Sequence, residues 1–112
     1  MAMLSIETES IQSVSVVNVN GRVDSDSAPE LDDTLTKLLQ DNDKIVLNLA
    51  GVEYVSSAGL RAIVKAYQNA KKSGGNVHLA SASKSVEGIL LTVGMMQMFK
   101  MFATSEEAAA GF

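Results

Sequence analysis

Residues Ile45–Leu49, IVLNL, constrain the fold more than any other stretch of the chain. A nearly continuous apolar run this short, with β-branched residues, has no polar side to offer water, so it reads as a buried central strand. Its flanks supply the cover. Upstream, DSDSAPELDDTLTKLLQ puts Leu31, Leu35, Leu38 and Leu39 on one helical face; downstream, Leu60, Ile63, Val64 and Tyr67 repeat at the same spacing. A buried strand between two amphipathic helices calls for right-handed crossovers onto parallel neighbours.

The other segments extend this alternation. Up to Asn20 the chain is Val-rich and alternating, with Val14, Val16, Val17 and Val19 between polar residues. This predicts two strands joined by a turn near Glu9, with Asn20-Gly21 as a second turn, forming an antiparallel edge whose other side is solvated. Ser27 and Glu30 have capping-box spacing and Pro29 sits in the first turn, so a helix should start there. The helix that begins after Ser57 should stop at Ser73-Gly74-Gly75. NVHLA, residues 76–80, predicts another strand, and Val86, Ile89, Leu90 and Val93 a third helix closed by Gly94. A loop or short strand around Phe99–Phe102 follows, and Thr104 with Glu107 opens a last short helix. The expected architecture is α/β, one domain over residues 1–112, with a mixed, mostly parallel sheet of four to five strands and helices mainly on one face.

Composition narrows the function classes. A chain of 112 residues can bury roughly two-thirds of the surface its unfolded form exposes. With no cysteine, disulfides, zinc-thiolate sites and thiol nucleophiles are excluded. A net charge of −4, with nine Lys and Arg spread along the chain, supplies no basic face for nucleic acid. No apolar run approaches the roughly 18 to 20 residues that span a bilayer, and MAMLSIETES lacks the basic flank and apolar centre of a signal peptide. A cytoplasmic location is expected. His78, the single imidazole, lies inside an apolar strand pattern as a core or edge histidine would, and the carboxylates show no ligand spacing, so no metal or cofactor is expected.

Function then turns on VEYVSSAGLRAIVKAY, where a strand meets a helix at Ser56 and Ser57. One serine can cap the helix, contributing about 1 kcal/mol. The other is a solvent-facing turn residue or something more. Ser57-Ala58-Gly59 is half of a nucleophile elbow, but Val55 stands at the first glycine position and no base accompanies the serine, which argues against an enzyme. GVEYVSSAGL also lacks the glycine density and the GK[ST] ending of a triphosphate loop. Covalent modification remains. A phosphate at a helix start is tolerated by the helix dipole, and it would add to Asp24 and Asp26 if the sheet brings their loop alongside.

GRVD at 21–24, the APELDDTL helix, IVLNLAGVEYVSSAGLRAIVKAY, NVHLA and GMMQMFKMFATSEEAA follow one another over nearly the full chain. In this order they resemble the STAS domain of anti-sigma factor antagonists, with YVSSAGLR the most specific block. The resemblance implies a bacterial anti-anti-sigma factor that, when unphosphorylated, binds an anti-sigma factor and frees a sigma factor. The implied partner is a serine kinase with a histidine-kinase-like ATPase fold, and a serine phosphatase reverses its action. The family's acceptor, two residues before the Gly-Leu pair, falls on Ser57, with Ser56 as fallback, and its GxxD aspartate falls on Asp24. Partner contact is thus expected from Asp24, Ser56, Ser57, Gly59, Leu60 and Arg61. Sporulation and stress-response members commonly carry Asp before the acceptor, where this chain has Ser56. Arg61 and Lys65 are candidates to meet partner carboxylates. Met95, Met96, Met98 and Met101 with Phe99 and Phe102 fill the core or form an adaptable contact surface. A second function on the same resemblance is a non-catalytic cytoplasmic subunit of an ATP-driven lipid transporter, in which the serine stays unmodified.

Overall fold

Ile45, Val46 and Leu47 are fully covered, as the apolar run requires. The protein, seen in a computed structural model that describes residues 4–95 and 97–112, is built around this strand. In chain order the elements are β1 (Ser5–Ile11), β2 (Val14–Val23), α1 (Ala28–Leu39), β3 (Lys44–Val55), α2 (Ser57–Lys72), β4 (Asn76–Ala80), α3 (Lys84–Thr92), β5 (Met101–Phe102) and α4 (Ser105–Ala110). The strands form one sheet in sequential order. β1 and β2 pair antiparallel, and every later pair is parallel. This is the mixed, mostly parallel α/β sheet expected, with five strands.

Ile45, Leu47 and Leu49 pack with Val17 and Val19, beneath Leu31 and Leu35 of α1, Leu60 and Ile63 of α2, and Val86 and Leu90 of α3. Val46 turns the other way and meets Val14, Val16 and Ala80 under Ala108 and Ala109 of α4. Three helices therefore share one face and the short α4 covers part of the other.

Two expected turns are displaced. The hairpin turns at Gln12-Ser13, where both residues have positive φ (50° and 71°), not near Glu9. Glu9 lies within β1 opposite Val16, and its carboxylate accepts from Asn18 Nδ2 at 2.7 Å. Gln and Ser are unusual in a turn that prefers Asn-Gly or Gly-Gly, so the tip carries no local signal; burial of Val14 and Val16 sets the register instead. Asn20-Gly21 is no turn but part of β2, beside register shifts against β3 between Asn18 and Asn20 and between Gly21 and Arg22. Each shift places one extra residue in β3. Leu49, Val52 and Val55 consequently share the helix-covered face at three-residue spacing, and the strand runs well past IVLNL.

Candidate functional site

The parallel sheet sets the ends of β2 and β3 side by side, with Val23 paired to Val55 and the Ser56 amide donating to the Val23 carbonyl at 2.7 Å. The loops that follow the two strands are thus neighbours at one end of the sheet. Gly59 allows this. A Cβ there would lie 2.6 Å from Val23 Cγ1 and 2.8 Å from Val55 Cγ1, so only glycine lets the first turn of α2 rest on both strand ends.

The two hydroxyls have different situations. Ser56 is extended (φ −81°, ψ 175°) and half-buried; its Oγ accepts from the Gly59 amide at 3.3 Å, and its carbonyl takes the Leu60 amide at 2.9 Å. It is the N-cap of α2. Ser57 is the first helical residue, exposed, and its hydroxyl makes no hydrogen bond among the described residues.

Asp24 begins the adjacent loop. Its Oδ1 accepts from the amides of Asp26 and Ser27, each at 3.0 Å, which folds the loop back on the carboxylate. The Ser27 amide is the main reason its carboxyl ionises below the usual range, against a smaller opposing effect of partial burial. Here the expected capping box of Ser27 and Glu30 fails. Ser27 occupies the N-cap position of α1 but makes no cap bond. Its Oγ donates to the Arg22 carbonyl at 2.7 Å and accepts from the Asp24 amide at 2.9 Å, so the loop has already taken the hydroxyl.

A groove of about 260 Å³ runs between α1 and α2 beside these loops. Ala28, Ala58 and Ala62 give it an apolar lining, and Asp32, Arg61 and Lys65 add charge. Lys65 Nζ is 3.2 Å from Asp32 Oδ1. Arg61 is exposed and enters no ion pair or hydrogen bond among the described residues. Of the residues singled out from the sequence, Asp24, Ser56, Ser57 and Arg61 come together at this end of the sheet, while Gly59 and Leu60 are buried beneath it.

One neighbour escaped the sequence reading. Arg22 holds its guanidinium 4.7 Å from the centre of the Tyr54 ring, the two being paired across β2 and β3 next to the Asp24 loop. The irregular register of β3 hid that pairing. His78 lies elsewhere, buried against α4, with Nδ1 2.9 Å from the Ala108 carbonyl and its ring stacked 3.8 Å from Phe112. Burial is the main reason its pKa falls below the ordinary value. Phe99 is core, edge-on to Tyr67 at 5.2 Å, with Met95 and Met101 packed against the same cluster. Met98 is exposed, and Met96 lies outside the described residues.

Comparison with known proteins agrees with this architecture. The family model described as STAS domain matches residues 5–108. The anti-sigma-B factor antagonist of Bacillus subtilis (strain 168) is 30% identical over 90 residues, covering 80% of this chain and 83% of its own. The crystal structure of an anti-sigma factor antagonist from Mycobacterium paratuberculosis superposes with a TM-score of 0.88 at 24% identity, over 97% of this chain and 93% of that one. The Bacillus cell fate determinant SpoIIAA in its phosphorylated form gives a TM-score of 0.76 at 16% identity, over 96% and 98% of the two chains. A match to the STAS domain model over nearly all of its residues makes this chain a member of the STAS domain family.

Proposed function

We propose that this protein is an anti-sigma factor antagonist, without catalysis of its own, that is switched off by phosphorylation of Ser57. The observation that carries the reading is the division of labour between the serines: Ser56 caps α2, and Ser57 stands exposed beside the Asp24 loop with nothing structural to do. In its unmodified state the edge formed by Asp24, Ser57 and Arg61 docks on an anti-sigma factor and so frees a sigma factor. The partner is a serine kinase of histidine-kinase-like ATPase fold, acting in the bacterial cytoplasm, and a serine phosphatase restores the hydroxyl.

Phosphate adds nearly two negative charges. The fold accommodates them, because the first amides of a helix lack intrahelical acceptors and its N-terminus carries partial positive charge. A partner docked on an edge that already holds Asp24 and Asp26 is repelled by the same charge. The name of the B. subtilis relative and the phosphorylated state of SpoIIAA, a protein of this fold, support the reading. Incubation with ATP and a candidate kinase, followed by intact mass and site mapping, tests it. The native chain and Ser56→Ala should each gain one phosphate and Ser57→Ala none; phosphate on Ser57→Ala overturns the assignment.

A further inference from the structure

We propose that Arg61 clamps the phosphate on Ser57, so that modification withdraws a cation from the docking edge as well as adding negative charge. The inference rests on the reading of Ser57 as the acceptor. Ser57 and Arg61 are four residues apart on α2, and both are exposed. Side chains at this spacing share a helix face, and a long side chain leans toward the N-terminus, over the turn that precedes it. In that preferred orientation the guanidinium of Arg61 reaches toward Ser57.

Charge around the groove favours this residue over its neighbours. Lys65 is already bound to Asp32 across α1 and α2, and Arg22 is stacked on Tyr54. Asp24, the nearby acid, has its Oδ1 taken by two amides of its own loop. Arg61 is left as the uncommitted cation beside the groove, among the described residues. Its planar fork can bind two phosphate oxygens at once, which a lysine ammonium cannot match. Before modification the same fork, beside an alanine-lined groove, suits a partner carboxylate next to an aliphatic side chain. After modification that carboxylate loses its counter-charge and faces a phosphate. One guanidinium thus serves two anions in turn.

The test places phosphoserine at position 57 during synthesis, which needs no kinase and is indifferent to whether Ser57 is the natural acceptor. Failure of the clamp is in this way distinct from failure of the phosphorylation reading, which site mapping decides. The second ionisation of the phosphate is followed by ³¹P NMR as pH is varied, in the native chain, in Arg61→Gln and in Arg61→Lys. The clamp predicts that the phosphate in the native chain binds its proton about threefold more weakly than in Arg61→Gln, with Arg61→Lys between them. Identical titrations in the native and Arg61→Gln chains overturn the proposal.

Discussion

The loops after β2 and β3 leave the sheet side by side, and each delivers a serine to the position before a helix, yet the two serines end in opposite conditions. Ser27 is consumed by its own loop, between the Arg22 carbonyl and the Asp24 amide, and leaves α1 without a side-chain cap. Ser56 is hydrogen-bonded to no carboxylate among the described residues, and its hydroxyl turns to the Gly59 amide and caps α2. A carboxylate at the start of a loop folds that loop on itself and uses up its hydroxyls. Where no carboxylate bonds the loop, one serine suffices for the cap and a second is left over. Ser57 is that residue.

The strongest way to break the comparison is to lift α2 off the strand ends. Gly59→Val places a branched side chain where even one Cβ meets Val23 and Val55, and overpacking of this kind costs about 3 kcal/mol. Chemical denaturation should show a lower midpoint with an unchanged slope. Removing the cap alone is milder. Ser56→Ala should cost about 1 kcal/mol and speed hydrogen exchange at the Gly59 amide, whereas Ser27→Ala should expose the Asp24 amide and leave α1 no worse capped than before.

The same contrast explains which features of the chain were legible. IVLNL and the two helices beside it announced themselves because burial imposes a period that local chemistry does not disturb. The Ser27–Glu30 spacing misled, since a capping box written in sequence competes with whatever acceptors the preceding loop brings, and those depend on where Arg22 and Asp24 stand. The end of β3 at the serines was legible, but its continuity from IVLNL was not, because two extra residues turn its period of two into Leu49, Val52 and Val55, a spacing that reads as helical. At the site, Ser56, Ser57 and Asp24 were visible as motif residues. The role of Gly59 as a spacer and the Arg22–Tyr54 pair were not, because each depends on register between strands far apart in sequence.

The two loops should also differ in their response to acid. The proton affinity of Asp24 is lower in the folded chain than in the unfolded one, so the unfolded chain takes up the proton first. Its contribution is complete above the ordinary value of 3.8 and is lost as pH falls below it. Asp24→Asn should flatten that part of a stability–pH curve. The hydroxyl cap of Ser56 has no proton to gain in this range, so the start of α2 should stay protected against exchange. His78 acts separately and at higher pH. Burial lowers its proton affinity first of all, the charges of Lys100 and Lys71 lower it further, and the Ala108 carbonyl opposes them. Its contribution is complete above 6.5 and declines as pH falls below that value. His78→Gln should remove this upper decline and leave the Asp24 step in place.

The smallest expected effect sharpens the comparison most. Ser57→Ala removes an exposed hydroxyl that has no partner among the described residues, at a helix position where alanine is at least as favourable as serine, so stability should change by no more than about 0.5 kcal/mol. Measured beside Ser56→Ala under the same denaturation conditions, it separates the two hydroxyls by their use to the fold alone. Equal losses would mean that Ser57 holds the loop, and a phosphate there would then have to disturb the helix start in order to act. A loss at Ser56 alone leaves Ser57 free of any folding duty, and a charge can then be added to it and removed again without unfolding what carries it.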